Sequence, residues 1–127
     1  MTSTVPALRL KAQFTCGGEL AIGPGKADLL EAIVATGSIS AAGRRLGLSY
    51  RRAWLMADTM NRCWCDPLVA TAHGGPRGGG ARLTPLGATV LRRYRDLEIE
   101  LAAAATRLAM DLADDLLEQP RPAHTPE

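Results

Sequence analysis

Apolar Leu8, Leu10, Ala12 and Phe14 alternate with polar Arg9, Lys11 and Gln13, and a period of two is what a strand with one buried face produces. The pattern predicts a first strand over 8–14. Gly17-Gly18 then turns the chain, and the short run 19–22 pairs back as the second strand of a hairpin. Beyond Pro24, a residue suited to a first helical turn, the spacing changes to three and four. Leu29, Leu30, Ile33 and Val34 define one face of a helix over 26–36 that stops at Gly37.

The same punctuation recurs twice. Ser38 caps a short helix over 39–46, in which Ala41, Ala42 and Gly43 leave room for another helix to cross closely, and Gly47 breaks it. Ser49 caps a third helix running to about Arg62, with Ala53, Met56, Ala57 and Met60 on its inward face. Two short strands, 68–72 and 81–83, flank His73-Gly74-Gly75-Pro76-Arg77-Gly78-Gly79-Gly80, which reads as a hairpin with a glycine-rich loop. Thr84 and Pro85 then open a long final helix to about Leu117. Pro120, Pro122 and Pro126 mark an extended tail. The expected organisation is one domain over 1–118, mainly α with small β elements, followed by a flexible tail over 119–127.

Charge changes this picture more than composition does. The net charge of +2 conceals a division: residues 1–95 hold 13 Lys and Arg against 5 Asp and Glu, and residues 96–127 hold 2 against 8. Because fields act locally, the first part is a candidate polyanion binder. No apolar run approaches the roughly 20 residues of a membrane span, and the N-terminus lacks a basic stretch followed by an apolar core. A cytoplasmic protein is expected, with its three cysteines reduced.

Helix, glycine turn and helix over 38–62 is the pattern of a helix-turn-helix, whose second helix enters the major groove of DNA from its N-terminal end. That helix opens with Ser49-Tyr50-Arg51-Arg52, followed by Trp54. These side chains project away from the Ala53 and Ala57 face, so core packing does not require them. Two arginines also sit at the unfavourable, positive end of the helix dipole. Phosphates or a guanine edge account for such a placement. Arg44 and Arg45 on the preceding helix are candidates for nearby backbone contacts. In the loop, Gly74, Gly75 and Gly78 allow close approach to a phosphate, and His73 and Arg77 offer donors. A nucleotide-binding phosphate loop is excluded, since neither Gly25-Lys26 nor the run 74–80 has the required glycine, lysine and hydroxyl spacing.

The segments Gly37-Ser38-Ile39-Ser40-Ala41-Ala42 and Gly47-Leu48-Ser49-Tyr50-Arg51-Arg52-Ala53-Trp54 resemble the N-terminal DNA-binding domain of ModE-type molybdate regulators. Met60-Asn61, Leu68-Val69, the glycine-rich 74–80 run and Leu83-Thr84-Pro85-Leu86-Gly87 stand in the same order as in that family. The resemblance covers about 8–117, with a more distant kinship to LysR-type winged helices. It implies a winged helix-turn-helix whose turn 49–54 reads DNA, whose wing around Arg77 touches the backbone, and whose last helix and N-terminal strand region dimerise. Full-length ModE-like regulators continue into oxyanion-binding domains where this chain ends. Kinship is therefore expected without molybdate binding.

In the last helix Val90, Tyr94, Leu97, Leu101, Ala104, Leu108 and Leu112 recur at spacings of four and three, close to a coiled-coil seam. A second copy is the expected cover, and a two-fold dimer implies an inverted-repeat operator. Cys63-Trp64-Cys65 lacks the C-x₂-C spacing of common zinc sites and is expected to be buried structure. No metal site, cofactor or catalytic set stands out. The expected function is a sequence-specific, non-enzymatic DNA-binding transcriptional regulator. The alternatives are a module that pairs with a full-length regulator through its long helix, and a thiol sensor using Cys63 and Cys65.

Overall fold

The structure is a computed structural model, and it describes residues 8–72 and 79–126. A hairpin of β1 (Phe14–Cys16) and β2 (Glu19–Ile22) leads into three helices, α1 (Pro24–Thr36), α2 (Ile39–Arg45) and α3 (Tyr50–Cys63). A second hairpin, β3 (Val69–Thr71) and β4 (Ala81–Leu83), precedes the long α4 (Pro85–Asp114). Both hairpins are separate antiparallel pairs. Three helices followed by a β-hairpin and a closing helix form a winged helix-turn-helix. Lys11–Glu98 is one compact unit, and α4 from Ile99 onward falls in another.

The helix boundaries follow the local chemistry. Gly37 adopts φ +79° and donates its N–H to the Ile33 carbonyl at 2.8 Å, ending α1 with the left-handed turn that glycine takes without strain. The Ser38 hydroxyl accepts from the Ala41 N–H at 2.9 Å, and Ser49 accepts from the Arg52 N–H at 3.1 Å. Each satisfies one of the orphan donors of a first helical turn. Thr84 caps α4 by accepting from Gly87 N–H at 3.0 Å, while its own hydroxyl donates to the Pro67 carbonyl at 2.7 Å. Gly87 is required here, because a Cβ would collide with the Leu68 carbonyl.

Ile22, Leu29, Leu30, Ile33, Met60 and Leu68 are the largest fully buried side chains, joined by Ala42, Ala53 and Ala57 where α2 and α3 cross. Asn61 ties the end of α3 to the second hairpin. Its Oδ1 accepts from Leu68 N–H at 2.9 Å and Val69 N–H at 3.0 Å, and its Nδ2 donates to the Val69 carbonyl at 3.0 Å. The hairpin is also fastened to the start of the helix-turn-helix, since Ala81 N–H donates to the Gly37 carbonyl at 2.8 Å.

Several expectations are corrected. The first strand is not 8–14 but Phe14–Cys16, because the tight Gly17-Gly18 turn sets the pairing and β2 is only four residues long. Residues 8–13 therefore have no ladder partner among the described residues. Val34 is 65% exposed, since α1 turns Ala27, Leu29, Leu30, Ala32 and Ile33 inward. The final helix stops at Asp114 rather than 117. Cys63-Trp64-Cys65 is not a buried run: Trp64 and Cys63 are half-buried and Cys65 is exposed beyond the end of α3.

The seam expected on α4 is divided. Val90 and Tyr94 are 8% and 2% exposed inside the chain's own core, and Tyr94 donates its hydroxyl to the Ala12 carbonyl at 2.7 Å. These two are thus spent within the chain rather than offered to a partner helix. Leu97, Leu101 and Ala104 are half-buried, and Leu108 and Leu112 are 73% and 72% exposed. The same stripe therefore faces two different surroundings along one helix.

Candidate nucleic-acid interface

The α3 helix has two faces of opposite character. Ala53, Ala57 and Met60 are buried, with Met56 packed against the core. Tyr50, Arg51, Arg52 and Trp54 are exposed, Tyr50 by 59% and Trp54 by 45%. Spacing of four puts Tyr50 and Trp54 one above the other, beside the two guanidinium groups. Leu55, 43% exposed, widens the apolar part of this surface, a residue the sequence reading did not single out.

The described arginines fall into two classes. Arg95 bonds Asp28 at 2.7 Å, Glu98 at 2.8 Å and also Glu31, and Arg62 bonds Asp58 at 3.0 Å and lies 4.0 Å from Glu19. For Arg95, burial favours the neutral form, but hydrogen bonds to the three carboxylates outweigh it and raise the pKa. These two arginines serve the fold. Arg51 and Arg52 have no ion pair among the described residues, and the first turn of α3 contains no acidic residue. Two unneutralised cations thus occupy the positive end of a helix dipole.

A third cation joins them from outside the predicted set. Lys26, in the first turn of α1, has its ammonium pushed below the usual lysine range by burial first and by the charge of Arg52 second. Lys26 also feels Glu19 and Cys63, which act in the opposite direction, so the start of α1 senses charges along the length of α3. The sequence offered no signal for this, because Lys26 and Arg52 lie on separate helices. Arg82 was legible but missed: in β4 it alternates outward between buried Ala81 and half-buried Leu83, on the arm leading to the glycine-rich loop.

On α2, the Arg44 guanidinium donates to Ser40 Oγ at 2.8 Å. Arg45 lines a surface cleft of about 230 Å³ together with Asp28, Glu31, Ala32, Ala35 and Leu46. Arg44 and Arg45 are both exposed, and Arg45 shares its cleft with two carboxylates of α1. The hairpin remains paired as far as Ala72 N–H to Gly80 carbonyl at 2.9 Å. The candidate loop residues His73, Gly74, Gly75, Arg77 and Gly78 lie outside the described residues.

No family model matches the chain. Among curated proteins it is 40% identical over 109 residues to the molybdenum transport protein ModE of Azotobacter vinelandii, covering 86% of this chain and 40% of that protein. It is 46% identical over 81 residues to the molybdenum-pterin-binding protein MopB of Rhodobacter capsulatus, covering 64% of this chain and 30% of the relative. Against the DNA-binding transcriptional dual regulator ModE of Escherichia coli K12 the identity is 36% over 92 residues, 72% of this chain and 33% of the relative. The chain thus spans 30–40% of the length of these relatives.

Proposed function

This chain is a relative of the ModE-type molybdate regulators along most of its own length, and from that premise we propose that it is a sequence-specific, non-enzymatic binder of duplex DNA that acts in transcriptional regulation. Ser49, Tyr50, Arg51, Arg52 and Trp54 form the reading surface in the major groove. Lys26, Arg44, Arg45 and Arg82 supply flanking contacts, and the loop of His73, Gly74, Gly75, Arg77 and Gly78 serves as the wing. The observation that carries the reading is that Arg51 and Arg52 are exposed without carboxylate partners among the described residues, whereas Arg62 and Arg95 each bond a carboxylate. Phosphate oxygens or a guanine edge are the acceptors this arrangement lacks.

The protein works as a homodimer through the outer half of α4. Leu108 and Leu112 are the exposed members of the stripe, and a second copy related by two-fold symmetry buries them. The operator is then an inverted repeat with half-sites separated by about 34–36 Å or a multiple.

Selection from a random duplex pool tests the reading, with an enriched inverted repeat as the expected result. On that duplex, Arg51→Ala and Arg52→Ala each weaken binding by about 1–3 kcal/mol if the side chain reads a base. Each lowers the salt slope by about 1 if it neutralises a phosphate. Unchanged affinity and slope in both folded variants would refute the α3 assignment. A monomer that pairs only with a longer regulator would support the interaction-module alternative instead.

A further inference from the structure

The end of α3 packs against the first hairpin, the strands that hold Cys16. Cys65 lies beyond α3 and is exposed, whereas Cys63, in the last turn of α3, is half-buried and feels the Cys16 thiol of β1, which helps push its own pKa up. Three independent contacts seat the first hairpin at this place. Phe14, two residues before Cys16 on β1, has its ring centroid 6.3 Å from that of Trp64. Trp64 Nε1 donates to the Ala21 carbonyl at 3.1 Å. Glu19, opposite Cys16 in the ladder, lies 4.0 Å from the Arg62 guanidinium. Both sequence neighbours of Cys63 are therefore anchored to the strands that carry Cys16.

We propose that Cys16 and Cys63 are a hydroperoxide-oxidisable dithiol that closes to an intramolecular disulfide joining the first hairpin to the end of α3. Cys16 is the exposed member and meets the oxidant first. Its sulfur attacks the hydroperoxide, so that an S–O bond forms, the O–O bond breaks, and a sulfenic acid is left with one water or alcohol. The Cys63 sulfur then displaces the hydroxyl. The S–S bond forms as the S–O bond breaks, and the Cys63 proton leaves with the hydroxyl as a second water. Two thiols thus supply the two electrons that reduce one peroxide. Burial first, and the Cys16 thiol next, raise the pKa of Cys63, so the exposed Cys16 rather than Cys63 is the first to meet the oxidant.

The disulfide is a latch rather than a block on the reading surface. Tyr50 and Cys63 bound α3, so the reading turn lies about 20 Å along the helix from the link. Closing the long loop between strand and helix restricts the unfolded chain, and oxidation raises the melting midpoint by about 10 °C.

The test treats the full chain with equimolar hydrogen peroxide, then combines thiol titration, non-reducing peptide mapping and thermal melting. The expected result is loss of two thiols, a peptide pair joined through positions 16 and 63, no covalent dimer, and a raised midpoint that dithiothreitol reverses. Cys65→Ser behaves like the parent, and Cys16→Ser, whose folding is checked by circular dichroism, shows no intramolecular link and no rise. A Cys63 to Cys65 link, a covalent dimer through Cys65, three surviving thiols, or a Cys65→Ser chain that forms no link would each overturn the proposal.

Discussion

Gly43 lies where α2 and α3 cross, and replacing it separates two effects of opposite sign. It is buried, and a Cβ added there meets the Ala53 Cβ at 3.1 Å and the Leu48 carbonyl oxygen at 3.4 Å. Gly43→Ala gains about 1 kcal/mol in helix propensity. The tight Cβ contact demands a shift of a few tenths of an ångström, and overpacking costs on the order of 1 kcal/mol at its mild end. The two nearly cancel, so the alanine variant should melt within about 3 °C of the parent. Gly43→Val retains less of the propensity gain and drives two further carbons into the crossing. Its net cost is about 2 kcal/mol, a fall in midpoint of roughly 5–10 °C. Because α3 must move outward, DNA affinity falls as well, although no DNA-facing residue has changed. Thermal melting and fluorescence anisotropy on the selected duplex measure both. A valine variant with parental melting and parental affinity would refute the argument that this crossing fixes α3.

Three further outcomes follow from contacts that hold the reading surface in place. Asn61→Ala abandons three hydrogen bonds to Leu68 and Val69 and should cost about 3 kcal/mol, whereas Asn61→Asp keeps the two acceptor bonds and costs less; urea denaturation ranks them. Tyr94→Phe leaves the Ala12 carbonyl without its donor and costs about 1 kcal/mol at neutral pH. Burial, then the Glu98 charge, raise the folded-state pKa of Tyr94 above its ordinary 10.0. Its stabilisation is therefore whole below that value and lost as pH rises through the folded-state pKa, and the gap between parent and Tyr94→Phe should close in strong alkali. A gap constant into strong alkali would contradict this assignment. Leu108→Glu combined with Leu112→Glu should give a monomer by light scattering with the melting of Lys11–Glu98 unchanged; a surviving dimer would place the interface elsewhere.

Much of the fold was legible because its boundaries are written in local chemistry. Ser38, Ser49 and Thr84 cap, Gly37 and Gly47 terminate, and Pro85 opens a helix, and each acts within one or two turns of its own position. The exposed face of α3 was legible for the same reason: one helical period separates Ala53 and Ala57 from Tyr50, Arg51 and Trp54. The first strand was misplaced because alternation over 8–14 marks a pattern, but a ladder also needs a partner of matching length. Val90 and Tyr94 were assigned to a seam because periodicity identifies a stripe without saying what covers it.

The sequence alone therefore determined the order of elements, the concentration of positive charge before residue 96 and the helix that opens with two arginines. Only the tertiary structure decided which arginines are paired with carboxylates, that Lys26 is affected by the charge of Arg52, and that the first hairpin seats against the end of α3. The physical reason is range. Caps, turns and faces act over a few residues, whereas ion pairs, core burial and aromatic contacts join side chains whose neighbourhood exists only after distant segments have packed.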